Sequence, residues 1–216
     1  MQESTTREKV LKKIRKALIH KTNSPFPNAD FDSRIYTHQE DSPEVIFAGK
    51  LAESGGHFIF CEDKLDFAEH ILALAEEKKW KTIVCPDTAL GTFLKSCEYP
   101  FVPSVSDFKS ADAAITLCEC LVARTGSILI SSKQAHGRRL PAIAHAHIIA
   151  GYQSQLVDDI RDALLLMKAK YGSRLPSMMT FITGPSKTAD IELTQVTGAH
   201  GPAEVFVFLI DGEEIV

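Results

Sequence analysis

The chain has 216 residues, 44% of them hydrophobic and 24% charged, and a formal net charge of −4. That length fits one large domain with a full apolar core better than two small ones, and the composition is that of a folded globular protein, not a disordered or fibrous one. Both signs of charge are spread along the chain, so the electrostatic footprint of a nucleic-acid binder is missing and no DNA or RNA partner is expected.

The N-terminal region reads as an amphipathic helix. Thr5 or Thr6 is placed to cap it, and Val10, Leu11, Ile14 and Leu18 form one face, with Lys9, Lys12, Lys13, Arg15, Lys16 and Lys21 around them. Such a basic face meets a membrane or nucleic acid in some proteins and is simply solvated in most. From Thr22 to Ser42 the sequence turns polar, with Pro25 and Pro27, and reads as a linker. It would let the helix pack on the core or on another subunit, which makes a homo-oligomer one expected arrangement. The chain therefore divides into an N-terminal helix and linker, 1–42, and an α/β domain, 43–216.

After Pro43 helices and strands alternate: a helix over about 43–54, a strand at His57–Cys61, a helix over Leu65–Lys78, a strand at Thr82–Cys85 and a short helix over 88–96. Asp112–Leu117 and Ser127–Ser131 read as β-rich runs separated by Cys120–Gly126. Ala144–Ala150 reads as a buried strand and Gln153–Tyr171 as a helix ended by Gly172. Met178–Thr183 and Val205–Ile210 complete about seven strands. Parallel neighbours need crossover helices, so the pattern predicts a mainly parallel sheet flanked by helices on both faces.

Open α/β sheets bind ligands beyond the carboxyl ends of their strands, which directs attention to the loops that follow strands. In Arg124-Thr125-Gly126-Ser127 the glycine allows close backbone approach, and the hydroxyls and amides suit an anion; a plain turn between paired strands is the alternative. Arg138 and Arg139, beside Gly137, could grip a carboxylate or phosphate in a guanidinium fork or form an exposed basic loop. His145 and His147 have the spacing of one strand face, which can serve a metal or a proton relay, but no third ligand is evident. Gly184-Pro185-Ser186-Lys187-Thr188 provides a turn, hydroxyls and one cation, the ingredients of an anion cradle, without the order of a Walker loop. Asp190 and Glu192 beyond it are candidate acids or bases, or caps of the turn. Gly198-Ala199-His200-Gly201-Pro202 forms a second turn that would return to the same end of the sheet, with His200 as general base, donor or bystander.

No nucleophile elbow occurs, and Cys118-Glu119-Cys120 has the look of a packed strand end. The five cysteines include no Cys-x2-Cys pair, which supports neither an iron–sulfur cluster nor zinc in this chain, and their odd number suits reduced thiols. No apolar run approaches the roughly 18–20 residues that cross a bilayer, and no signal-peptide stretch is present, so no membrane span and a cytoplasmic location are expected.

The order Arg-Thr-Gly-Ser from Arg124, Gly137-Arg138, a strand with His147-Ile148, Gly-Pro-Ser-Lys-Thr-Ala-Asp-Ile-Glu from Gly184 and Gly-Ala-His-Gly-Pro from Gly198 resembles the LUD-domain family of the lactate utilization protein C type. Family members often carry Glu-Thr-Gly where this chain has Arg124-Thr125-Gly126. The resemblance implies a fold similar to the sugar-isomerase and CoA-transferase superfamily, which 5-formyltetrahydrofolate cyclo-ligase shares. It also implies a place in a bacterial system that oxidises L-lactate to pyruvate with iron–sulfur partner proteins, whose clusters would lie in those partners and not in this chain.

The resulting expectation is a subunit that binds a small anionic ligand through Thr125, Gly126, Ser127, Arg138, Gly184, Ser186 and Thr188, with Asp190, Glu192 and His200 as catalytic candidates and no metal. The alternative is a stand-alone enzyme on a phosphorylated or carboxylated small molecule, of the isomerase, CoA-transferase or cyclo-ligase kind.

Overall fold

The computed structural model describes residues 5–19, 23, 25–30, 33, 36, 41–97, 101–102, 110–188, 196–198 and 200–215. The chain separates into two compact units, 1–39 and 40–216. In the first, α1 (Thr6–Ile19) is capped reciprocally: the Thr5 amide donates to Glu8 Oε2 at 2.9 Å and the Glu8 amide to Thr5 Oγ1 at 3.3 Å. This satisfies two of the otherwise orphaned amides of the first turn and selects Thr5 over Thr6 as the cap. None of the helix's residues is buried within the unit. Ten of the 21 residues of the expected linker, 22–42, lie outside the described residues.

The second unit opens with α2 (Pro43–Glu53), β1 (His57–Cys61), α3 (Lys64–Lys78), β2 (Ile83–Val84), α4 (Thr88–Ser96) and β3 (Ala113–Leu117). It continues with β4 (Cys120–Val122), β5 (Ser127–Ser131), α5 (Leu140–Ile143), β6 (Ala146–Tyr152), β7 (Leu156–Val157) and α6 (Ile160–Tyr171). β8 (Met179–Ile182), β9 (Lys187–Thr188), β10 (Val196–Thr197) and β11 (Glu204–Ile210) complete it.

Five strands form a central sheet in the order β1-β11-β6-β3-β2, every neighbouring pair parallel. β6 and β11 lie at its middle and are apolar at almost every position, as strands covered on both faces must be. Ile148, Ala150, Phe206 and Phe208 pack with Phe67 and Ile71 of α3 and Leu90 and Leu94 of α4. The alternate residues Ile149, Val205, Val207 and Leu209 face Phe47 and Leu51 of α2 and Leu121, Ile128 and Ile130 of β4 and β5. The period-two alternation of the strands thus divides one apolar run between two cores.

The expected class holds, but the strands do not form a single sheet. A second sheet, ordered β7-β4-β5-β8, covers the face opposite α3 and α4, and in it β5 runs antiparallel to both β4 and β8. The cause is the tight turn Ala123–Thr125, which is too short for a parallel crossover and makes β4 and β5 a hairpin. Gly126 closes it at φ 60°, and a Cβ there would lie 2.4 Å from the Leu51 amide nitrogen of α2. Sequence periodicity also overextends α6. Gln153–Gln155 is a short 3-10 turn, β7 follows, and the helix begins only after Asp159, whose carboxylate accepts from the Ile160 amide at 2.6 Å. Arg124 fixes that carboxylate with a two-pronged pair, Nε to Oδ2 at 3.0 Å and Nη2 to Oδ1 at 2.8 Å.

Gly126→Ala therefore meets both a left-handed backbone and the α2 main chain. It should lower unfolding free energy by about 1–3 kcal/mol, read as a reduced urea midpoint at unchanged m-value.

Candidate functional site

The carboxyl ends of β2, β3 and β6 open onto a cavity of about 320 Å³, with Asp87, Thr116, Gln134, His136, Tyr152 and Lys170 on its wall. Its volume is in the range of small-molecule sites, and its place at the carboxyl edge of a parallel sheet is where such folds bind ligands.

The chain leaves β3 through Cys118 and Glu119 and turns at once into β4, so Glu119 lies where the two sheets meet. Its side chain is 0% exposed. Three donors meet the carboxylate: the Ser131 hydroxyl at the end of β5, the Tyr171 hydroxyl at 2.8 Å and the Lys170 ammonium at 2.8 Å, the last two from the end of α6. Burial alone would push its pKa up, but the bonds from Lys170, Ser131 and Tyr171 outweigh burial and hold it below the ordinary carboxylate value. Burial works against the charged form of Lys170 as well, and Glu119 again outweighs it, so the ammonium is held above its ordinary value. The pair remains ionised and anchors one wall of the cavity.

Two histidines lie deeper. His136 Nδ1 faces the Gly137 carbonyl at 2.8 Å and Nε2 faces Gln134 Oε1 at 3.1 Å. A neutral ring has one N–H and can donate to only one of these acceptors. Burial nevertheless lowers its pKa, against the opposing pull of Gly137 and Glu119. His147 is fully buried between the sheets, with Nε2 2.8 Å from Thr116 Oγ1 and Nδ1 without a hydrogen-bond partner. Burial, reinforced by His136, brings it down to about 3. His145 precedes β6 and is exposed, so the two histidines of the expected pair do not share an environment.

The expected ligand loops divide between the two edges of the sheet. Ser127 Oγ is 2.7 Å from Thr183 Oγ1, the Ser186 amide donates to the Pro202 carbonyl at 2.9 Å, and the Gly198 amide to the Ser186 carbonyl at 2.9 Å. Thr188 stands opposite Val196 in the β9–β10 ribbon. A Cβ on Gly184, at φ 81°, would lie 2.7 Å from the Ser54 carbonyl at the end of α2, and Lys187 Nζ donates to that same carbonyl at 3.1 Å. Thr125, Gly126, Ser127, Gly184, Ser186 and Thr188 thus gather with the exposed His200 at the amino edge, where β1, β6 and β11 begin. Arg138 is apart from them at the opposite end of β5 and β8, donating to Ser177 Oγ. Asp190 and Glu192 lie outside the described residues.

The reading of loops missed Glu119, Lys170, Tyr171 and Gln134. One signal for the first was available: a carboxylate inside the apolar stretch 113–122 must be either a strand break or a buried, paired charge. The thiols beside it are not activated, since burial pushes Cys120 up to about 12 and raises Cys118 further.

A parallel sheet backed by a second, mixed one, with a polar cavity at the carboxyl edge of the first, defines an α/β class of protein. Residues 105–210 match the LUD domain, which places this half of the chain in the LUD-domain family. Lactate utilization protein C of Halalkalibacterium halodurans is 33% identical over 109 residues, 50% of this chain and 47% of that protein. Lactate utilization protein C of Geobacillus kaustophilus is 25% identical over 186 residues, 82% of this chain and 73% of that protein. The chain spans about half the length of several of the curated relatives it matches. A crystal structure of a DUF162 family protein from Deinococcus radiodurans superposes with a TM-score of 0.59 at 19% identity, covering 78% of this chain and 98% of that one, and so shares the fold. Among the described residues no helix is long and apolar enough to cross a membrane.

Both buried histidines have folded-state pKa values below the ordinary 6.5. Their contribution to stability is therefore complete above about pH 6.5 and is lost as the pH falls. Each group contributes a slope of up to about 1.4 kcal/mol per pH unit. Urea unfolding between pH 7 and 5 should show this decline, and His147→Gln should flatten it; an unchanged slope in the variant would contradict the assignment.

Proposed function

We propose that this chain serves in L-lactate utilization, the oxidation of lactate to pyruvate, as a component that binds a small anionic ligand and works with iron–sulfur partner proteins. The pathway rests on the two lactate utilization relatives. The ligand reading rests on one observation: the carboxyl-edge cavity, with Lys170 and His136 on its wall together with the carboxylates of Asp87 and Glu214. A lining of both signs suits a compact ligand that carries a carboxylate and a hydroxyl, and disfavours a polyanion such as a triphosphate. Deleting the gene should abolish growth on L-lactate and L-lactate oxidation in the native host. Complementation with the wild type should restore both, and complementation with folded Lys170→Met should not. Unimpaired growth and oxidation in the deletion strain would reject the proposal.

The Glu119, Lys170 and Tyr171 group favours a second reading, an enzyme that acts alone on a carboxylated or phosphorylated small molecule by proton transfer. Under that reading the purified chain turns over such a substrate, and Glu119→Gln abolishes turnover while leaving the thermal transition cooperative. A folded chain that is inert across sugar phosphates, acyl-CoA donors and formyl folates would reject it.

A further inference from the structure

Away from this cavity, three side chains of different chemistry converge where β1 ends and α3 begins. Cys61 is the last residue of β1 and is buried, while Asp66 and His70 stand one turn apart on α3, four residues being the spacing that brings side chains onto one helix face. A donor atom from each lies within 4.8 Å of the other two. Asp66 is already oriented: its Oδ2 accepts the Glu62 amide at 2.9 Å, and its Oδ1 is 2.8 Å from His70 Nδ1. Glu62 and Asp63 add negative charge beside the cluster, and Asp63 is itself fixed as the α3 cap, accepting the Leu65 and Asp66 amides.

The geometry points to a divalent transition-metal site formed by Cys61, Asp66 and His70, of which zinc is the best-suited occupant. Thiolate and imidazole select zinc and its neighbours over magnesium or calcium, which prefer all-oxygen shells. Zinc bonds to these donors are about 2.0–2.3 Å long, which sets donor atoms roughly 3.3–3.8 Å apart in a tetrahedral site. The cluster reaches that spacing by drawing Cys61 in by at most about 1 Å and parting Asp66 from His70 by about half as much, movements within the reach of side-chain torsions. On binding, the metal takes the place of the thiol proton of Cys61, which leaves to solvent, while a neutral His70 ring that ligates through Nδ1 carries its one proton on Nε2 instead. Three protein ligands leave the fourth position to water, the open coordination of a reactive zinc site. The cysteine spacings argued against zinc because they considered thiols alone. Here the sequence pattern is Cys-x4-Asp-x3-His, with one ligand from a strand and two from the helix that follows.

Cobalt(II) titration of the reduced, metal-stripped full chain tests this directly. The expected result is one equivalent bound per chain, with intense visible d–d bands and a near-ultraviolet thiolate-to-cobalt band, both bleached by zinc. Cys61→Ser should remove the thiolate band. His70→Ala, at an exposed position that does not endanger the fold, should weaken binding at least about ten-fold. Three outcomes would overturn the site: no bands at excess cobalt, bands that survive in both variants and so belong to another cysteine, or weak octahedral d–d bands without any thiolate transition.

Discussion

A carboxylate buried at the junction of two sheets constrains the second unit more than any other single group. Glu119 links β3 of the central sheet to β4 of the other, and an isolated charge there would cost several kcal/mol in lost hydration. Its position is tenable because two elements bring three donors to it: Ser131 from the end of β5, and Lys170 and Tyr171 from the end of α6. Those ends are thereby held at the carboxyl edge of β3, where they become the cavity wall. The Lys170 side chain is 53% exposed, so solvent screens the pair and its net contribution to stability is modest. Its consequence is placement: the donors that meet one buried side chain tie the end of α6 to the end of β5 beside the cavity.

How far the fold could be read from the sequence follows from element length. β1, β3, β6 and β11 carry five to seven consecutive residues of strand pattern, and α2, α3 and α4 carry enough turns for their spacing and caps to show. β4 has three residues and β7 two, too few for any period to register. Without them the hairpin that creates the second sheet is invisible, and β5 and β8 read as further members of a parallel array. Gln153–Tyr171 was misleading for another reason. Its apolar spacing is helical throughout, but the Gln155 side chain accepts the Tyr152 amide at 3.0 Å and donates to the Cys118 carbonyl at 3.0 Å. Those local bonds compete with the helix and delay its start to Ile160.

The same missing sheet explains why the candidate loops were placed at the wrong edge. A loop after a strand belongs to the carboxyl edge only if the strand runs with the central sheet. β8 runs antiparallel to β5, so the loop beginning at Gly184 emerges at the amino edge, beside the starts of β6 and β11. The expected meeting of the turns at 184–188 and 198–202 does occur, through the mutual backbone bonds of Ser186, Gly198 and Pro202. The residues at the cavity were harder to find because they share no segment: Thr116, Gln134, Tyr152 and Lys170 come from four separate elements and meet only once both sheets are stacked.

The two edges therefore depend on sequence in different ways. At the amino edge Gly126 and Gly184 allow close approach to the backbone of α2, so what matters there is the absence of a side chain, and a segment with this pattern identifies the fold without specifying a reaction. At the carboxyl edge what matters is charge and hydrogen bonding: an ionised Glu119, the ammonium that meets it and two histidines kept neutral by burial. Volume changes should be the damaging substitutions at the first edge and charge-neutral isosteres at the second. A family signature carried by turn glycines can thus persist while the cavity across the sheet is altered for a different ligand, since the groups that set its polarity lie on other elements and are fixed by a different set of bonds.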